Sequence, residues 1–196
     1  MSTDDAAGRL KPAPTYDTIE GEVARAVASL SGEPALTAAV ETLASRIAKY
    51  TWVGIYLLQD GELVLGPYVG KPSPHTHIPL GRGICGAAAT EKTTIIVDDV
   101  NADPRYLACS LDTRSEIVVP IMRGTHVLGE IDIDSDIPAA FDTDDQKLIE
   151  SIAALFADRM LCPASAGLLV RLKADTTYNR IDAPHNHPHP RRRHRP

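Results

Sequence analysis

The chain is poor in cysteine, in aromatic residues and in long apolar stretches. Three cysteines occur among 196 residues, and aromatic side chains make up 5%. A small, odd number of cysteines argues against the disulfide framework that small secreted domains use. No apolar run approaches the roughly 20 residues of a membrane helix. The start, Met-Ser-Thr-Asp-Asp, has no basic cluster and no apolar stretch after it. We therefore expect a cytoplasmic protein without membrane contact.

Positive charge is scarce outside the C-terminus. The formal net charge is −6, but residues 185–196 contain four arginines and no acid. The rest of the chain therefore holds 16 basic and 26 acidic residues. Because nucleic-acid binding needs clustered positive charge, this acidic body argues against nucleic acid as a partner.

Apolar residues make up 43% of the chain, enough for one domain, which we assign to residues 15–162. Residues 1–14 and 163–196 are polar or low in complexity and are predicted to be disordered. Helical spacing covers residues 19–30, 34–50 and 143–160, and Thr143 with Gln146 predicts a capping box for the last helix. Six strands are predicted, at residues 51–58, 63–68, near 78, 93–97, 115–122 and 127–134, with a short helix at 85–91. Short turns favour antiparallel pairing, so the fold class is α+β, with helices at one face of the sheet.

Residues 81–86 read Gly-Arg-Gly-Ile-Cys-Gly and match the dinucleotide motif G-x-G-x-x-G. That motif binds a nucleotide only inside a parallel strand–helix–strand unit. The neighbouring strands are predicted to be antiparallel. We interpret the glycines as a tight turn into the short helix and expect no cofactor.

The three cysteines differ in their surroundings. Cys85 falls in the first turn of the short helix, where backbone N–H groups and the helix dipole favour a thiolate; a small buried apolar residue is the alternative. Cys109 lies in a loop between Arg105 and Arg114, and nearby cations lower the pKa of a thiol. For Cys109 the alternative is a loop residue packed under the domain. Cys162 has no such surroundings.

The first predicted strand carries two aromatic residues on one face. Trp52, Gly54 and Tyr56 share that face because strand side chains alternate. Two rings separated by a glycine predict a slot for a small ligand, unless the rings simply cover a helix.

Acidic residues alternate on the last two predicted strands. Glu130, Asp132 and Asp134 share one face, and Glu116 begins the neighbouring strand. Acids are disfavoured in strand interiors, so the presence of four acids on these strands requires an explanation. Either they face solvent, or they form an acidic pocket wall for a cationic group. In a pocket, crowding would raise a carboxyl pKa and make it a proton donor.

The histidines do not predict a metal site. His75 and His77 form an isolated pair, and His185, His187 and His189 lie in the tail. Neither group has the spacing of a preorganised zinc site, so at most the tail binds metal adventitiously.

Several of these segments resemble the free methionine-(R)-sulfoxide reductases, a family of single GAF domains. The likeness spans residues 33–161. The motifs that carry it are Trp52-Val53-Gly54-Ile55-Tyr56, Gly83-Ile84-Cys85-Gly86, Ala108-Cys109, Glu116 and the strand with Asp132 and Asp134. The resemblance implies a GAF fold, with a roughly six-stranded antiparallel sheet and flanking N- and C-terminal helices.

The resemblance also implies an activity, in which Cys109 attacks free methionine-(R)-sulfoxide and Cys85 is a second pocket cysteine. Trp52 and Tyr56 would surround the methyl-sulfoxide end of the substrate. The acids that hold its amino-acid head and sulfoxide oxygen would be Glu116, Asp132 and Asp134. A sulfenic acid on Cys109 would condense to a disulfide, and a thioredoxin-type reductant would restore the thiols. A homodimer is compatible with the sequence, which does not fix the oligomeric state.

The chain departs from this family at one position. A third cysteine commonly precedes the stretch that here reads Pro-Ser-Pro-His-Thr-His-Ile-Pro, residues 72–79. Recycling would then fall to Cys85 or to an external thiol. Two alternatives to an enzyme stay open: a non-catalytic GAF module that binds a small ligand, and a redox sensor that uses Cys85 and Cys109.

Overall fold

The computed structural model describes residues 15–108 and 110–159. The disorder predicted for both termini, and the predictions for Cys109 and Cys162, therefore fall outside the described residues. The elements are α1 (Tyr16–Ser29), α2 (Glu33–Arg46), β1 (Trp52–Gln59), β2 (Glu62–Val69), β3 (His77–Pro79), α3 (Gly83–Glu91), β4 (Ile95–Val97), a 3₁₀ turn (Val100–Ala102), β5 (Ser115–Arg123), β6 (His126–Ser135) and α4 (Thr143–Arg159). No helix among the described residues has the length and apolarity to cross a membrane.

The helix ends follow from local chemistry. The Thr15 side chain accepts a hydrogen bond from the Thr18 amide and caps α1. Helix α2 stops at Arg46, earlier than its predicted end at residue 50, because Ile47 is extended (φ −122°, ψ 96°) and leads the chain toward β1. The capping box predicted for α4 is wrong. Asp142 caps this helix instead, and its Oδ1 accepts from the amides of residues 144 and 145 at 2.8 and 3.1 Å.

The six strands form one antiparallel sheet in the order β3-β2-β1-β6-β5-β4. The α+β fold class is thereby confirmed. The strands on either side of the Gly81–Gly86 motif belong to this antiparallel sheet, which agrees with the rejection of a dinucleotide site. The register places Gly54 opposite Asp132 and places Glu116 opposite Asp134.

The two faces of the sheet have different coverings. One face packs under α1, α2 and α4, and its buried side chains include Val53, Ile55 and Leu57 of β1. The opposite face carries Trp52 and Tyr56 and packs under α3. The helices therefore do not all lie at one face. The short α3 can approach the second face closely because its buried side chains are small, chiefly alanines.

A buried aspartate holds α4 to the N-terminal helices. Asp145 is fully buried and accepts hydrogen bonds from Tyr16 Oη at 2.6 Å and Tyr50 Oη at 2.8 Å. Its other oxygen accepts from Lys49 Nζ at 2.6 Å and from the Asp142 amide at 2.9 Å. Burial raises the pKa of Asp145, but these hydrogen bonds outweigh burial and the net pKa lies below the ordinary value.

Candidate functional site

Three aromatic rings line the face of the sheet that lies beneath α3. Trp52 stacks on Tyr68 with ring centroids 5.7 Å apart, and its centroid lies 6.5 Å from that of Tyr56. The Trp52 indole N–H donates to the carbonyl of Lys71 at 3.0 Å, and the Tyr56 hydroxyl donates to the carbonyl of His75 at 2.8 Å. Both hydrogen bonds fix the loop that follows β2, residues 70–76, against these rings. Tyr68 was missed from the sequence because its approach to Trp52 depends on the β1–β2 register.

The slot predicted between Trp52 and Tyr56 is wrong in its geometry. A Cβ added at Gly54 would lie 2.1 Å from the Trp52 indole, and one added at Gly70 would lie 2.4 Å from it. The indole therefore occupies the space over both glycines. The rings form a continuous wall, and Gly54 is required because the tryptophan ring lies across it.

Four acids are buried on the same face. Glu116, Glu130, Asp132 and Asp134 are 5%, 0%, 1% and 3% exposed. In the β1–β6 register, Trp52, Gly54 and Tyr56 stand opposite Asp134, Asp132 and Glu130, respectively. The acids and the aromatic wall are thus adjacent, and solvent exposure does not explain these residues. The sequence alternation had already placed Glu130 on this face.

Burial raises the pKa of all four carboxyls. The pKa of Asp132 rises to about 7. For Glu116 and Glu130, burial is the main cause of pKa values well above the ordinary range, and the neighbouring acid Asp132 adds to it. The pKa of Asp134 is raised by burial and by the neighbouring Asp132, whereas a hydrogen bond with Thr113 lowers it. Asp132, with a pKa of about 7, is partly protonated at neutral pH and can donate its proton.

Cys85 faces this acid cluster from the first turn of α3. Its side chain is buried, and its Sγ lies 3.4 Å from Asp132 Oδ2 and 3.8 Å from Glu116 Oε1. The predicted position at a helix start is confirmed. A Cβ added at Gly86 would lie 2.6 Å from the Pro79 carbonyl oxygen, so glycine there lets the helix start pack tightly against β3. The sulfur and the carboxyls come from separate elements and meet only in the folded protein.

The loop between the 3₁₀ turn and β5, described at residues 103–108 and 110–114, meets the loop of residues 70–76 beside the aromatic wall. His75 Nε2 lies 3.3 Å from the carbonyl oxygen of Ala108, and Lys71 forms an ion pair with Asp112. The side chain of Leu107 packs on Gly83 of α3. A small cavity of about 90 Å³ lies between these loops and the sheet. Its lining includes Trp52, Ser73, Ser110, Thr113 and Asp134.

Arg105 and Arg114, the two cations expected to act on Cys109, have partners in their own surroundings. Arg105 forms ion pairs with Asp103 at 2.8 Å and Glu91 at 3.8 Å. Arg114 donates to the carbonyls of Leu111 and Thr113, both at 3.3 Å. Cys109 itself lies outside the described residues. Its neighbours in sequence are Ala108, whose carbonyl meets the His75 ring, and Ser110, which lines the cavity.

Among the described residues, one group has the donor atoms and spacing to hold a metal ion. It consists of the Cys85 sulfur and one oxygen each from Glu116 and Asp132, all within 4.8 Å of one another. His75 and His77 are not part of it. The sequence did not indicate this group because its members lie on α3, β5 and β6 and come together only through the register of the sheet.

Comparison with known proteins places these features in a family. The GAF domain family matches residues 31–160. The free methionine-R-sulfoxide reductase of Escherichia coli (strain K12) is 39% identical over 114 residues, which are 58% of this chain and 68% of that protein. The aligned region spans about two thirds of the length of such curated relatives.

Solved structures match over a larger share of their length. A free methionine-R-sulfoxide reductase from Neisseria meningitidis, in complex with its substrate, has a TM-score of 0.73 at 33% identity and covers 85% of this chain and 95% of that one. The type II free methionine-R-sulfoxide reductase from Thermoplasma acidophilum has a TM-score of 0.62 at 38% identity, with 71% and 93% covered. The resemblance seen in the sequence motifs is thereby confirmed.

Proposed function

This chain belongs to the GAF domain family, and we propose that it is an oxidoreductase that reduces free methionine-(R)-sulfoxide to methionine with its own cysteine thiols. One observation carries the proposal. The buried Cys85 sulfur lies 3.4 Å from Asp132, a carboxyl whose pKa burial raises to about 7, beside an aromatic wall. A thiol and proton-donating carboxyls are the groups that sulfoxide reduction needs. The relatives named above as reductases support this assignment.

The acid cluster suits the amino-acid head of the substrate. Four buried carboxyls on one sheet face would repel one another if they were all ionised, and burying a charge without a partner is costly. An ammonium group would relieve that repulsion, so we assign the substrate ammonium to Glu116 and Asp134. We assign the sulfoxide oxygen to Asp132. Trp52 and Tyr56 would then contact the methyl-sulfoxide end.

In the first step the Cys109 thiolate attacks the sulfoxide sulfur while a protonated carboxyl donates to the oxygen. The net products are methionine and a sulfenic acid on Cys109. The methionine sulfur is reduced by two electrons, and the cysteine sulfur is oxidised by two. A carboxyl with a pKa near 7 is suited to this transfer because it is partly protonated at neutral pH and can also accept a proton later.

In the second step the Cys85 thiol attacks the sulfenic sulfur, an S–S bond forms and water leaves. Asp132 lies in position to accept the thiol proton. A thioredoxin-type dithiol then reduces the disulfide by exchange and becomes oxidised itself. Since residues 72–79 contain no cysteine, Cys85 or an external thiol must act at this step. We place the reaction in the cytoplasm, and assembly as a homodimer stays a prediction.

The choice of Cys109 as nucleophile rests on the sequence resemblance and on its neighbours in the chain. Ala108 and Ser110 belong to the loop that meets the aromatic wall and the small cavity. Cys85 is less suited to attack first, because its sulfur is buried against Asp132 and Glu116.

Turnover with free methionine-(R)-sulfoxide and dithiothreitol tests the proposal. The wild type is expected to release methionine continuously, and Cys109→Ser is expected to release none. Cys162→Ser is the matched control and should behave as wild type. If the wild type binds the sulfoxide without producing methionine, the protein is a non-catalytic ligand-binding module. If Cys109→Ser keeps its turnover, the nucleophile is assigned wrongly.

A further inference from the structure

We propose that the reduced protein binds one zinc ion, or another thiophilic divalent cation, through Cys85, Glu116 and Asp132, and that this ion closes the pocket to substrate. The binding is a property of the three side chains and does not require the proposed reductase activity. Only the inhibition rests on that proposed function.

The separations of the donor atoms fit a tetrahedral ion. Zinc bonds are about 2.3 Å long to thiolate sulfur and about 2.0 to 2.2 Å long to carboxylate oxygen, which at a tetrahedral angle separates the two donors by about 3.5 Å. The Cys85 sulfur lies 3.4 Å from Asp132 Oδ2 and 3.8 Å from Glu116 Oε1. The whole group spans no more than 4.8 Å. The two sulfur–oxygen distances match zinc geometry to within a few tenths of an ångström, and the two carboxyl oxygens, which lie within 4.8 Å of each other, would close to about 3.4 Å around the ion.

A second observation points to a cation at this place. Asp132 Oδ1 and both carboxyl oxygens of Glu130 are buried and have no hydrogen-bond partner among the described residues. Glu130 and Asp132 lie two residues apart on β6 and share the face that Cys85 covers. Leaving such oxygens unsatisfied costs free energy. A bound ion would use the Asp132 carboxylate directly, and its positive charge would compensate the buried Glu130 carboxyl two residues away on the same strand face.

The donor set selects the class of metal. A thiolate with carboxylates favours zinc over magnesium or calcium, which prefer oxygen ligands alone. Three protein ligands leave one position for water. The histidines of residues 185–194 could also attract metal, but they cannot supply a thiolate. A signal that reports sulfur ligation therefore separates the two sites.

Cobalt(II) is the probe, because a thiolate bound to cobalt gives a charge-transfer band in the near ultraviolet. The full-length protein is reduced with a phosphine, handled without oxygen and titrated with cobalt. We expect the band to saturate at one cobalt per chain and to disappear when zinc is added. Cys85→Ser should abolish it, Asp132→Asn should weaken cobalt binding, and Cys162→Ser should leave it unchanged.

The proposal is overturned if the wild type shows no band, if Cys85→Ser keeps it, or if only Cys109→Ser removes it. Circular dichroism of each variant checks that a lost band does not come from unfolding. In the reductase assay, with the phosphine as reductant, zinc should inhibit in competition with the sulfoxide, and a chelator should restore the rate. A band in a protein that releases no methionine would support the metal site and reject the proposed function.

Discussion

Two buried aspartates, Asp145 on helix α4 and Asp132 on strand β6, have opposite surroundings. Asp145 is 0% exposed and Asp132 is 1% exposed. Asp145 accepts from two tyrosine hydroxyls, one lysine and one backbone amide, and its pKa is lowered. Asp132 has the Cys85 thiol beside one oxygen and no partner on the other, and burial raises its pKa to about 7. The Asp145 carboxylate joins α4 to the N-terminal helices. Asp132 has one oxygen without a hydrogen-bond partner among the described residues, which lowers the stability of the fold, and it lies beside a thiol where a proton donor is useful for catalysis.

The largest expected effect is on stability, at Asp145. Asp145→Ala removes the partner of Lys49 and of both tyrosines, so we expect a loss of about 3 to 5 kcal/mol in the free energy of unfolding. Urea denaturation measures it. Asp144→Ala, at a mostly exposed position in the same turn, is the control and should change stability by less than about 0.5 kcal/mol. A loss below 1 kcal/mol at Asp145 would contradict a structural role.

Asp132→Asn should have the opposite effect, with a loss of activity and no loss of stability. Because the amide cannot donate a proton as an acid does, kcat/KM for free methionine-(R)-sulfoxide should fall by about 10²- to 10⁴-fold. The free energy of unfolding should stay the same or rise, since the buried acid that is removed has only the Cys85 thiol as a donor and no partner on its other oxygen. Steady-state rates and urea denaturation on one preparation test both statements. An active but unstable variant would remove the contrast between the two aspartates.

The two aspartates also predict opposite pH dependences. Asp132 has a raised pKa in the folded state, so its neutral form contributes stability that is fully present below the unfolded pKa of about 4 and is lost as the pH rises through about 7. One such group gives a slope of up to about 1.4 kcal/mol per pH unit in that window. Asp145 has a lowered pKa, so its contribution is present above pH 4 and is lost only at lower pH.

Urea denaturation between pH 5 and pH 8, in a chelator, tests this difference. We expect wild-type stability to decline as the pH rises from 5 to 7, and we expect a shallower decline in Asp132→Asn. Stability that increases over this range would show that the acid cluster is ionised in the folded state, and equal slopes in the two proteins would show that Asp132 does not cause the decline.

A smaller effect is expected at Gly54, which adjoins the acid wall. Its Cβ would lie 2.1 Å from the Trp52 indole, so Gly54→Ala should displace the ring and cost about 1 to 3 kcal/mol. The KM for the sulfoxide should also rise, because the displaced Trp52 ring is assigned to contact the substrate. Trp52 is the only tryptophan, so its fluorescence reports the displacement directly. Gly21→Ala in α1 is the control and should leave the fluorescence unchanged.

The sequence predicted the sheet and the faces of its strands because alternation and helical spacing are local signals. It grouped Trp52 with Tyr56 on one face of β1, grouped the acids on one face of β6 and placed Cys85 at a helix start, and the structure agrees. The approach of Cys85 to Asp132 could not be derived, since it depends on how α3 packs across the register of β5 and β6. The predicted slot failed because the orientation of the Trp52 ring is not contained in the strand pattern. The Asp145 network was missed for a similar reason, as its partners lie 95 to 129 residues away in the chain.

A single-turnover measurement tests the central claim most directly. The reduced protein, freed of its reductant, is mixed with excess free methionine-(R)-sulfoxide, and methionine is quantified before the cysteines are mapped by mass spectrometry. The account predicts one methionine per chain and a disulfide between Cys85 and Cys109, with no methionine from Cys109→Ser. Reduced cysteines and no methionine from the wild type would contradict it.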